Sequence, residues 1–254
     1  MKPLQRIKLL HAIKAVFAGC SITMLTPNRI GEYGGRVLYI DEPHRLRAIS
    51  LTILGSMTQL AITMLFGSAA VISLKFLSVA DAQMLSSISG FINGSVLVIS
   101  VAGAIIVLLF IFRVHFLVLA VSKFKFLKAM LKHIAVLDAF SGKQLLRILS
   151  LSATRYLVFI LQYILLLHLM EVRIPLNLLF LLLSLFYMIM VIAPTIGFTE
   201  LPVRATLSVM LLGKFSSNII GIQAAALGIW LINLVAPAVI GSVLILGIKI
   251  MKEK

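Results

Sequence analysis

Between Lys214 and Lys249 the chain carries no charged residue at all, and three more stretches are as clean: Ala48 to Leu74, Ala82 to Phe112 and Ile174 to Thr199. A bilayer core about 30 Å thick is crossed by roughly 20 apolar helical residues, so these runs are the units from which the chain must be built. A fifth, Ile148 to Met170, is interrupted only by Arg155. The charged residues that remain amount to 12% of the chain, against about 25% in soluble domains, while hydrophobic residues reach 61% and mean hydropathy is +1.13. A water-facing surface cannot be made from that composition. The fold class expected is all-α, a polytopic integral membrane helical bundle with two broken or re-entrant segments. No soluble catalytic domain is expected at either end, because the charges fall in short stretches between apolar runs. The lone cysteine, Cys20, offers neither an internal disulfide nor a thiolate metal site.

One membrane domain is therefore expected over 1–254. Spans are expected at about 48–74, 88–112, 148–170 and 174–195, with short or kinked helices over about 200–250. The run beyond Lys214 is too long for one upright helix and barely long enough for two; Pro237 divides it. Residues 9–28 read as a re-entrant or partial segment, since Ala15 to Asn28 is too short to span and ends at Pro27. A signal peptide fits poorly there, because Lys14 interrupts the apolar region.

Orientation follows the lysines and arginines. The connector from Arg113 to Arg147 holds seven of them against the single acid Asp138, so 113–147 is expected in the cytoplasm; the location expected is the plasma membrane, with the chain multi-pass. Within it, Phe124, Leu127, Leu131, Ile134 and Leu137 recur at three- and four-residue steps among lysines. That pattern predicts an amphipathic surface helix over about 116–146, read either as an anionic-lipid contact or as a topogenic loop.

Two irregular segments carry the polar chemistry. The first holds Pro27, Arg29, Gly31, Glu32 and Arg36; the second holds Pro194, Gly197, Glu200 and Arg204. In each, a proline precedes a glycine, then a glutamate, then an arginine four residues further on. Irregular backbone at membrane depth is tolerated only where it is buried or lines a cavity, and facing broken helices around a polar cavity are the arrangement of transporters. The bland alternative is a pair of capped helix starts, in which a glutamate sits favourably in the first turn. Arg155 and Gln162, seven apart, share a helical face with Phe159 between them, and Arg155 can snorkel to the headgroups. Gln59 and Asn93 read as amides that hold helices together, and Ser217, Gly221 and Ala225, four apart, as a packing face. The tyrosines read as interfacial belts or helix contacts. The five histidines are scattered, and no zinc, nucleophile-elbow or phosphate-loop motif occurs, so neither a cofactor, a metal nor a catalytic group is expected.

At the two irregular segments the chain resembles the lysylphosphatidylglycerol synthase transmembrane-region family, a flippase-like domain. Its first motif looks like P-x-R-x-G-E followed by R, matched by Pro27, Arg29, Gly31, Glu32 and Arg36. The second is similar to P-x-x-G-x-x-E, matched by Pro194, Gly197 and Glu200, with Phe198 and Thr199 where a glycine-rich, arginine-containing version is usual. The family commonly carries further spans ahead of the first motif, so a shortened N-terminus is expected, and the soluble aminoacyl-transferase domain that follows this region in the multiple peptide resistance factor is not expected here. The resemblance implies translocation of an anionic phospholipid or lipid-linked amphiphile between leaflets, with the arginines drawing phosphate and the glutamates pairing with them or with a cationic headgroup. The partners expected are membrane lipids, with a homo-oligomer or a membrane enzyme as further partners and no nucleic acid. Two other readings stay open: a non-transporting partner of a lipid- or glycan-modifying enzyme, and an intramembrane lipid transferase or hydrolase using Glu32 and Glu200.

Overall fold

The computed structural model describes residues 9–26, 31–38, 40, 45–80, 98, 101–103, 105, 142–192 and 198–252. Among these, every regular element is helical: α1 (Leu9–Leu25), α2 (Gly31–Val37), α3 (Arg45–Ala80), α4 (Gly142–Leu169), α5 (Leu176–Ile192), α6 (Glu200–Leu212), α7 (Ile219–Trp230), a π turn (Leu231–Val235) and α8 (Ala236–Lys252). The protein is an all-α membrane protein of the helical-bundle class. Three helical stretches are long and apolar enough to cross a bilayer: Leu51–Phe76, Gly142–Leu169 and Ile219–Gly247, of 26, 28 and 29 residues. At about 1.5 Å per residue each exceeds the hydrocarbon core. Leu9–Leu25 and Leu176–Val191 are shorter apolar helices. The expected span at 88–112 and the amphipathic helix at 116–146 fall almost entirely outside the described residues.

The chain forms two compact units. In the first (1–53, 194–203 and 227–254), α1 is the central element, packed against α2 and against α8. Small residues make both contacts close. A Cβ on Gly35 would stand 2.5 Å from the Ala18 carbonyl oxygen, and a Cβ on Gly241 would collide with the carbonyl oxygen of Phe17. Beside that second contact the Ser21 and Ser242 hydroxyls share a hydrogen bond of 2.7 Å. This is the small-residue packing on which helices in lipid rely, since burying apolar surface gains nothing there.

In the second unit (54–193 and 204–226) the inner faces follow helical periodicity. Helix α4 buries Leu145, Ser152, Tyr156, Ile160, Tyr163 and Leu167, a stripe at three-, four- and seven-residue steps. Helix α5 is apolar nearly all round, burying Leu179, Leu182, Leu183, Leu185, Phe186 and Met188. Helix α3 joins α4 through a 2.9 Å hydrogen bond between the Thr58 and Ser152 hydroxyls and lays Gly67 against Met188 of α5. Helix α4 stops in a Schellman turn: the Val172 amide donates to Leu167 O, the Glu171 amide to His168 O, and Glu171 takes φ 57°. Asn218 fastens that turn, its Nδ2 donating to Met170 O while its Oδ1 accepts the Gly221 amide as the N-cap of α7.

The run beyond Lys214 is helical from Ile219 through Lys252, with the π turn in place of one α turn just ahead of Pro237. A proline ring clashes with the carbonyl four residues back, here Asn233. The π turn widens the helix at that point, and the Ala236 amide bonds five residues back to Leu231 O.

Candidate functional site

The two irregular segments fall at helix starts. Glu32 stands in the first turn of α2 and Glu200 in the first turn of α6, where a carboxylate is favoured by the unpaired backbone amides. Gly31 is buried, its amide donating to Thr26 Oγ1 at 2.8 Å, and a Cβ there would stand 2.5 Å from Ile22 O. Thr26 in turn donates to Ile22 O. The glycines at 31 and 35, one turn apart, thus let α2 lie against the backbone of α1. Glu32 is half-buried and Arg36 follows it by one turn within the same helix. Glu200 is 6% exposed. Pro27, Arg29, Pro194 and Gly197 lie outside the described residues.

Arg204 is, with Glu200, one of the two charged residues that are buried among the described residues. Only 7% exposed, it sits on α6 with its guanidinium carbon 5.6 Å from the centre of the Phe186 ring, and it meets the Tyr187 hydroxyl. Around it three tyrosines from two helices form one cluster. Tyr163 and Ser208 share a hydrogen bond of 2.6 Å, and Ser208 Oγ also donates to Arg204 O at 2.7 Å. The Tyr187 ring packs edge-on against Tyr156, Tyr163 and Phe186. Phe66 stacks on Tyr156 at 4.9 Å and meets Phe180 edge-on. A guanidinium placed over an aromatic face and beside phenol hydroxyls is stabilised as a cation, and its planar fork of donors is suited to phosphate and carboxylate oxygens.

Arg155 takes a different position. It is exposed on α4, its guanidinium carbon 5.2 Å from the centre of the Phe159 ring one turn on. Gln59 is half-buried, and its side-chain oxygen has no hydrogen-bond partner among the described residues. Among those residues no group of three or more His, Cys, Asp or Glu side chains is placed to hold a metal.

Reading the sequence missed Tyr156, Tyr163, Tyr187 and Ser208 as members of one polar cluster. Part of the signal was there. Tyr156, Ile160, Tyr163 and Leu167 repeat at four, three and four, and Ser208 follows Arg204 by four. What the sequence does not carry is the pairing of Tyr163 with a serine 45 residues away.

Fold and site together define a membrane-helical all-α protein that buries an arginine inside a tyrosine cluster. Comparison of the chain with protein-family models, with curated proteins and with solved structures finds no match.

Proposed function

We propose that this chain moves an anionic phospholipid or a lipid-linked amphiphile between the leaflets of the plasma membrane, in the manner of the flippase-like family its two motifs resemble. The observation that supports this reading is Arg204. Burying a charge costs free energy unless it is paired and hydrogen-bonded, so a guanidinium 7% exposed on α6, over an aromatic ring and beside a phenol hydroxyl, is a candidate functional position. Its role is to attract the phosphate of the headgroup while the tails remain in lipid, with Tyr163 and Tyr187 fixing its position. Glu32 and Glu200 answer to a cationic headgroup or to arginines of the two motifs. In this reading the chain is multi-pass, with the basic connector 113–147 in the cytoplasm.

The test uses the purified full chain in liposomes carrying labelled phosphatidylglycerol, with a neutral labelled lipid beside it. The parent exceeds empty liposomes for the anionic lipid, Arg204→Gln abolishes the excess and Arg204→Lys keeps part of it. A folded Arg204→Gln protein that translocates at the parental rate overturns the role given to Arg204. A parent no faster than empty liposomes for any anionic lipid overturns the proposal.

A further inference from the structure

The outer face of α4 changes character along its length. At 100° per residue, the buried stripe from Leu145 to Leu167 fixes the opposite face, on which Lys143 and Arg147 are exposed, with Arg155 exposed at its edge. Further along, the same outer surface carries Leu161, Leu165 and Leu169, exposed at 61%, 59% and 64%. A cationic half is followed by an aliphatic half. That is the order of headgroup and tail in a phospholipid.

Depth fits as well. Helix α4 stops at Leu169, and Glu171 and Arg173 beyond it are exposed, which sets one edge of the hydrocarbon. Counting back about 20 residues for a 30 Å core puts the other edge near Ser150. Lys143 and Arg147 then lie in the headgroup layer, while Arg155 lies about 8 Å inside it at 1.5 Å per residue. An arginine at that depth on a lipid-facing surface lowers its cost by drawing phosphate and water inward. The Phe159 ring covers one face of its guanidinium, and phosphate is bound through the N–H edge, so the two contacts are compatible. The helix start adds to the demand for an anion: α4 has no acidic residue in its first turn, and Lys143 stands there against the positive end of the helix dipole.

We propose that the outer face of α4 binds one anionic phospholipid, its phosphate between Arg147 and Arg155 and a tail along Leu161, Leu165 and Leu169. The site is separate from Arg204 and does not depend on translocation. A free phosphate is the poorer occupant, because the aliphatic half of the face would gain nothing from it.

The test is native mass spectrometry of the full chain purified in detergent with phosphatidylglycerol and phosphatidylcholine in equal amounts. Phosphatidylglycerol is retained by the parent. Each basic side chain near an anionic surface gives a factor of about five, so Arg147→Gln with Arg155→Gln weakens retention about 30-fold. Arg147→Lys with Arg155→Lys keeps most of it, and Arg173→Gln leaves it unchanged. Equal retention by the double glutamine variant and the parent overturns the proposal, as does displacement of the lipid by inorganic phosphate, or a dimer that excludes lipid from this face. Should the double variant fold poorly, the parent alone decides. Raising ionic strength from about 0.1 to 1 M shortens the screening length from about 10 to 3 Å, and retention that does not fall refutes a phosphate contact.

Discussion

Two glycines six residues apart on α8 should respond to the same substitution with opposite signs. Gly241 faces α1, and a Cβ placed on it collides with the carbonyl oxygen of Phe17, while Gly247 has nothing within 4 Å. Alanine gains about 0.8–1.0 kcal/mol over glycine in helix propensity at either position, so that term cancels in the comparison. The remaining term at Gly241 is overpacking, about 1–3 kcal/mol. Because the obstacle is α1 backbone and not the end of a flexible side chain, no rotamer change relieves it, and the upper part of that range applies. Separating the helices also stretches the neighbouring Ser21 to Ser242 hydrogen bond. Gly247→Ala should therefore be neutral or stabilising, and Gly241→Ala destabilising by about 1–2 kcal/mol net of propensity. Helix α3 carries an independent pair: a Cβ on Gly67 would stand 2.5 Å from Met188 Cβ, and Gly55 is open. The assay is reversible unfolding of the purified protein in mixed micelles titrated with SDS, followed by far-UV circular dichroism. Unfolding midpoints that coincide for Gly241→Ala and Gly247→Ala would show that α1 and α8 do not touch at this glycine, and the account of the first unit would fall.

Replacing Tyr163 with Phe and Ser208 with Ala, singly and together, should give a coupling of about 0.6 kcal/mol, the usual worth of an interhelical hydrogen bond in lipid; a double-mutant cycle in the same micelles measures it, and additivity refutes the bond. With Cys20 replaced by Ser, a Ser21→Cys and Ser242→Cys pair should cross-link under mild oxidant, since the two hydroxyls are 2.7 Å apart. A Ser21→Cys and Gly247→Cys pair should not, and a gel-shift assay separates the two. Glu171 holds a left-handed backbone at φ 57°, which costs a non-glycine residue roughly 1–2 kcal/mol; Glu171→Gly should raise the unfolding midpoint, and a lowered one refutes strain there. Arg204→Met should leave stability unchanged or higher, because well-packed apolar residues often replace buried charge without loss. An unfolding midpoint depressed as far as by Gly241→Ala would assign Arg204 to the fold instead.

The apolar runs were legible because a bilayer leaves a segment no alternative to closing its own hydrogen bonds as a helix. Leu51–Phe76 follows from the uncharged run Ala48 to Leu74, and Gly142–Leu169 from Ile148 to Met170, interrupted only by Arg155, without any knowledge of neighbours. The π turn was less legible. Pro237 announces that the helix must adjust, but its presence alone does not distinguish a kink from the widened turn that forms. The tyrosine cluster was legible in halves: the stripe on α4 from its period, and the Arg204 to Ser208 step from its spacing. Joining them takes contacts between α4, α5 and α6 that periodicity does not encode.

The same distinction separates Glu32 and Glu200 from Arg204. Glu32 and Glu200 each open a helix, where a first-turn carboxylate contributes about 0.3–1 kcal/mol by itself; a local rule accounts for both without any ligand. Arg204 follows Glu200 by four residues on α6, the spacing at which an acid and a base share a helix face. That spacing does not account for its seat over the Phe186 ring and beside the Tyr187 hydroxyl, a place that a well-packed apolar side chain could fill without the cost of a buried charge. It is therefore at Arg204, before either glutamate, that substitution should separate translocation from stability.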